Sequence, residues 1–171
     1  MANSTSANLK LTVQATGENS GTWGQITNTN LLILEQAIGG FTTFNITNAA
    51  RSLTFTNGAV SDGKNEVIKL TGTLASNLTV SIPNSLEKTY LVEDACNHAG
   101  NTLTFKTASG TGVLLCEGNN YTLYSDGTNI EEGITSTGSL ITENITTSNL
   151  TVTNSTNVSG ITISDNVTAA N

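Results

Sequence analysis

The hydrophobic period of this chain changes once, at Gly39-Gly40, and that change limits the folds open to it. Before the glycines, Trp23, Ile26, Asn30, Ile33, Leu34, Ala37 and Ile38 follow helical spacing along one stripe. After them, from Phe41 to about Glu132, apolar and polar residues alternate with the period of two that strands require. One convincing helix, over residues 22–40, followed by strands and turns makes the chain mainly β. Thr22 and Gln25 stand at capping-box spacing, and Gly39 and Gly40 offer a left-handed stop. Leu31 and Leu32 fall off the stripe, so the middle of the helix is apolar nearly all round. Such a helix needs cover on more than one side, from its own β domain or from copies of itself. Asn30 either fixes register in a helical bundle or simply faces the rim.

On the N-terminal side of the helix, residues 1–21 read as an extended anchoring arm, with Leu9, Leu11 and Val13 alternating with Lys10 and Thr12. That is enough for one strand laid onto another surface and too little to fold alone. On the C-terminal side, residues 41–132 carry nine short strand patterns punctuated by pairs such as Asn57-Gly58, Asp62-Gly63 and Gly118-Asn119. This spacing predicts a compact antiparallel β-sandwich or jelly-roll-like domain. Asp126-Gly127, between Tyr121–Ser125 and Thr128–Glu131, predicts a hairpin with a type I′ turn. From residue 133 to 171 the chain is Thr, Ser and Asn with isolated Ile, Leu and Val. Leu150 and Val152 recur 11 positions on as Ile161 and Ile163. One copy of so thin an apolar edge cannot offset its ordering entropy, whereas three copies wound together could, so an intertwined trimeric β shaft is expected with those four residues as its core.

Composition and charge narrow the function. The chain carries a net charge of −7 and shows no basic patch interleaved with aromatics, which makes a nucleic-acid partner unexpected. The first residues, MANSTSANLKLTV, have neither a basic n-region nor an apolar h-region, and no later run approaches a membrane span, so synthesis in a cytoplasm without a signal peptide is expected. Two cysteines are too few for a disulfide framework. Cys96, His98 and Cys116 could be imagined around zinc, but a structural site wants four ligands at close spacing, and no metal or other cofactor is expected. His98 is the only histidine, and Glu93-Asp94 and Glu131-Glu132 read as solvated charge at strand ends. A glycosidase would need two carboxylates ~5 to 10 Å apart across one sugar, and aromatic platforms for a sugar are few. With no phosphate loop, nucleophile elbow or HExxH motif either, no catalytic residues are assigned and no enzyme is expected.

Two segments carry a resemblance. S-G-T-W-G-Q-I-T-N-T-N-L at residues 20–31, leading to A-I-G-G at 37–40, resembles the N-terminal part of tail-fibre and related virion proteins of tailed bacteriophages, especially those of marine hosts. N-Y-T-L-Y-S-D-G-T-N-I at residues 120–130 is similar to a hairpin found in such proteins, and the Thr/Asn-rich tail is similar to fibre shafts built as intertwined trimers. The resemblance implies a non-enzymatic virion component, a homotrimeric tail or neck fibre or its attachment segment. Its N-terminal region would dock to tail or neck proteins, and host surface glycans are a further expected partner. The assembly contact would then fall on Trp23, Ile26, Asn30, Ile33, Leu34 and Ile38, at the helix. Fibres usually carry a receptor-binding tip beyond the shaft, so the implied form is a short connector or the front of a longer fibre. Alternative readings are a capsid-decorating or carbohydrate-binding β module, or a fragment of a polysaccharide-degrading tailspike.

Overall fold

The computed structural model describes residues 2–133, so the expected shaft and its candidate core residues Leu150, Val152, Ile161 and Ile163 lie outside the described residues. Two short strands open the chain, β1 (Ser4–Thr5) and β2 (Thr12–Val13), followed by the helix α1 (Trp23–Gly39). Then come β3 (Phe41–Asn45), β4 (Arg51–Ser52), a 3-10 turn at Asp62–Lys64, β5 (Val67–Thr73), β6 (Leu78–Ile82) and β7 (Glu87–Asn97). The last four strands are β8 (Leu103–Thr107), β9 (Gly112–Leu115), β10 (Asn120–Asp126) and β11 (Ile130–Glu132).

The strands form two sheets, ordered β11-β10-β7-β5-β3 and β4-β6-β8-β9, beside the small β1-β2 pair. Mainly β with one helix, as the periodicity requires, the arrangement corrects the expected antiparallel pairing. From β3 to β8 the chain passes alternately from one sheet to the other, so each strand pairs in parallel with the strand two places on. Phe41 pairs with Val67 and Val67 with Leu91 in one sheet; Leu78 pairs with Leu103 in the other. Each turn of this coil therefore advances the chain by about 25 residues, the period of a solenoid repeat. Strand periodicity specifies which side chains face inward but not which neighbour a strand takes, and so a coil and a sandwich of hairpins read alike. Within the two larger sheets, antiparallel pairing comes at the C-terminal end, through β8-β9, β7-β10 and β10-β11.

Inward-facing positions stack from coil to coil. Ile68 lies beside Val92, Val80 beside Phe105, and Leu78 beside Leu103, all buried in one continuous cluster that also takes in Tyr90 and Leu123. Stacking like on like in this way fills the space between the sheets without lengthening any strand. At the corners the abundant small polar residues bond one coil to the next. Asn77 Oδ1 accepts the Thr102 amide at 3.0 Å, and Asn101 Nδ2 donates to the Leu74 carbonyl at 3.0 Å. A chain of this composition is thereby used where a solenoid most needs side-chain amides, at turns whose backbone has no ladder partner.

Two local expectations also change. Thr22 makes no side-chain cap; its hydroxyl donates backwards to the Asn19 carbonyl at 3.2 Å, so the capping box is not formed. Gly40 is extended, with φ −71° and ψ 135°, and is required for a different reason. A Cβ there would collide with the Gln36 carbonyl and the Asn65 side chain, so only glycine lets the helix end against the first coil. At the β10-β11 hairpin, Ser125 pairs with Ile130, giving a four-residue loop in which Gly127, but not Asp126, has positive φ. Asp126 Oδ1 accepts the amides of both Thr128 and Asn129 at 2.7 Å, an aspartate-capped turn in place of type I′.

Asp62 ties the first coil together. Its carboxylate accepts from the Thr54 amide at 2.5 Å and the Thr54 hydroxyl at 2.7 Å, and pairs with Arg51 at 2.7 Å. Partial burial raises its pKa, but the Thr54 bonds and Arg51 outweigh that and hold it below the ordinary carboxylate value. A depressed folded-state pKa adds stability above the unfolded-state value, about 3.9, and loses it as pH falls through the folded-state one. Asp62→Ala is expected to cost about 1–3 kcal/mol near pH 7, and Asp62→Asn to flatten the pH dependence below pH ~4. Thermal melts at pH 7 and pH 3 read both effects.

Candidate assembly interface

Helix α1 has two apolar faces. At 3.6 residues per turn, Ile26, Asn30, Ile33 and Ala37 point one way, and Ile33 is fully buried there while the other three are half-buried. The helix is held on its own domain near that face, where Gln36 Oε1 accepts the Ser61 amide at 3.3 Å. About a quarter turn away runs a second stripe. Its members Trp23, Leu31, Leu34 and Ile38 are 65, 57, 36 and 78% exposed. Leu31, Leu34 and Ile38 are spaced by three and four, the 3.5-residue repeat with which helices pack on one another. The six assembly residues expected from the sequence are therefore divided. Trp23, Leu34 and Ile38 lie on the open stripe, whereas Ile26, Asn30 and Ile33 face their own chain. Leu31, which the single-stripe pattern set aside, belongs with the first group because the observed stripe is rotated from the one that passes through Ile33.

Asn30 is bonded within its own chain. Its side-chain amide pairs with the backbone of Thr12, accepting the Thr12 amide at 2.9 Å and donating to the Thr12 carbonyl at 2.8 Å, as a neighbouring strand would. The arm is accordingly a folded-back hairpin instead of an extended strand. Thr5 pairs with Thr12, Gln14 donates to the Thr27 hydroxyl at 3.2 Å, and the Lys10 carbonyl accepts the Gly58 amide at 2.7 Å. Asn8 reaches the β domain directly, accepting the Glu87 amide at 3.1 Å. Leu9 and Leu11 are half-buried by this docking, and Val13 remains exposed.

The polar cluster at the far end of β7 is structural in its geometry. Buried Asp94 accepts the Cys96 amide at 3.1 Å and lies 2.7 Å from His98 Nε2, while the His98 amide donates to Glu117 at 2.8 Å. Main-chain bonds of Asp94 to Asn119 and Gly118 fasten the β9-β10 turn. Burial and the adjacent Asp94 push the Cys96 thiol up to about 12, which keeps it protonated and unreactive at neutral pH. Cys116 is exposed, and among the described residues no three His, Cys, Asp or Glu side chains converge as a metal site would need. No described helix is long and apolar enough to cross a membrane. No family model, curated protein or solved structure matches this chain.

Asn30→Leu keeps the size of the side chain and removes both bonds to Thr12. The arm is expected to loosen by about 1.4 kcal/mol or more, read as a tenfold or greater rise in amide hydrogen exchange at Thr12 while exchange in β5 and β7 stays unchanged.

Proposed function

We propose that this chain is a structural component of a bacteriophage virion, a homotrimeric tail or neck fibre or its attachment segment. Its N-terminal region docks to the tail, and its C-terminal part projects outward toward the host. The observation that carries the assembly part of this reading is the open stripe of α1. A soluble monomer has no use for Leu31, Leu34 and Ile38 held in water at heptad spacing. Burying such side chains between helices returns about 1.5–3 kcal/mol for each one fully removed from water. Glu35 is the only charged residue of the helix, so copies packed in parallel bring few like charges together. The virion setting rests on the likeness of residues 20–40 and 120–130 to tail-fibre proteins, and the copy number of three on that of the Thr/Asn-rich residues 133–171 to intertwined trimeric shafts. Mechanism here means assembly: three copies share one axis, and each contributes avidity to whatever the assembled tip contacts.

Light scattering on the purified full chain tests this. A mass of three chains is expected, and Leu34→Asp and Ile38→Asp are each expected to give monomers with the β domain still folded. A wild-type chain that stays monomeric at 100 μM, or trimers that survive both substitutions, would overturn the reading.

A further inference from the structure

Asn57-Gly58 is the only Asn-Gly pair in the sequence, and it meets the folded-back arm. Asn57 is exposed in a turn, and its side chain makes no hydrogen bond among the described residues. Gly58 has φ +59°, and its amide donates to the Lys10 carbonyl at 2.7 Å. A Cβ at Gly58 would collide with the Thr12 hydroxyl, so the docked arm admits only glycine after Asn57. The rest of the loop is pinned from within. Fully buried Lys64 donates to the Thr56 and Ala59 carbonyls at 2.7 and 2.5 Å, and the Ser61 hydroxyl accepts the Thr56 amide at 3.1 Å. Lifting the arm therefore frees the Gly58 amide while the bonds of Lys64 and Ser61 keep the loop in place.

We propose that Asn57-Gly58 is a self-modification site, a deamidation latch that the arm holds shut. The Gly58 nitrogen gives up its proton to solvent and attacks Asn57 Cγ. A bond from that nitrogen to Cγ forms and closes a cyclic succinimide, the Cγ–Nδ2 bond breaks, and Nδ2 takes up a proton and leaves as ammonia. Water then opens the ring at either carbonyl, giving aspartate or isoaspartate at position 57. Glycine suits the step because no side chain crowds the attacking nitrogen. The gate is the loss of the amide proton, which is also the first step of amide hydrogen exchange, and a hydrogen-bonded N–H must open before it can take that step. While the Lys10 carbonyl accepts the Gly58 amide, ring closure waits on release of the arm. Isoaspartate carries an extra methylene in the main chain, which displaces the Gly58 amide from Lys10 and makes the opening irreversible. The latch is independent of the number of copies in the assembly.

Lys10 supplies a matched pair of variants, because its φ of +55° is one that glycine accepts and a β-branched residue resists. Lys10→Gly and Lys10→Val lose the same charge, but only Lys10→Val displaces the carbonyl that holds Gly58. The full chain and both variants are incubated in mildly alkaline buffer, isoaspartate at position 57 is followed by peptide mapping, and amide exchange in β5 and β7 serves as the folding control. Isoaspartate is expected to form at least tenfold faster in Lys10→Val than in the wild type, and within about threefold of the wild-type rate in Lys10→Gly. Should Lys10→Val not fold, Asn30→Leu, which loosens the arm at Thr12, is expected to give the same acceleration. Wild-type chains carrying isoaspartate at position 57 are expected to exchange the Thr12 amide at least tenfold faster than fresh ones. A folded arm-loosened variant that deamidates no faster than the wild type overturns the proposal. So does a wild-type rate equal to that of an isolated peptide of residues 54–60, or an unchanged Thr12 exchange rate in the isoaspartate form.

Discussion

The parallel ladders between successive coils are what every other part of this structure depends on. Ile68 is held by Val92 and Leu78 by Leu103, partners about 25 residues distant, so no strand of the coil is stable with its hairpin neighbour alone. Once two coils are in register, the buried rows follow, and the asparagines at the corners find carbonyls and amides that only the adjacent coil can offer. The chain can then afford strands as short as β4, two residues long, because its ladder is extended by the Leu53 amide bonding to the Ser81 carbonyl.

Much of this was visible in the sequence, although not its direction. The strand positions at Leu78–Ile82 and Gly112–Leu115, the helix and the change of period at Gly39-Gly40 all follow from local pattern. The coil had a signal that local pattern misses: Leu53-Thr54-Phe55, Leu78-Thr79-Val80 and Leu103-Thr104-Phe105 recur every 25 residues. The second and third copies pair in register, while the first is displaced, with Ser52 opposite Ser81. A repeat search at that period would have separated a coil from a sandwich of hairpins. What no repeat search could supply is the bond from Asn30 to Thr12, because it depends on the arm turning back through Lys10, a residue with positive φ.

The helix illustrates the same division. Composition shows that it has more apolar surface than one face can hide, and only the placement of Ile33 decides which residues remain in water. Asn30 uses the inner face to hold the arm, leaving the stripe of Leu31, Leu34 and Ile38 outside both jobs. A polar residue inside an apolar stripe is thus satisfied within the chain, as buried amides generally must be.

The path of the chain through the five-stranded sheet has a mechanical consequence. The chain enters at β3 on one edge and leaves from β11 on the other, so the two attachment points are separated by all four ladders. A pull between the helix and Gly133 is therefore carried across the sheet, along the direction in which the hydrogen bonds themselves point. The pull reaches β3 at Phe41, one end of its five-pair ladder with β5, so the bonds at that end are stretched first and the ladder opens pair by pair. Tension between the two ends therefore opens the sheet from its edge, as a zip opens from its tab.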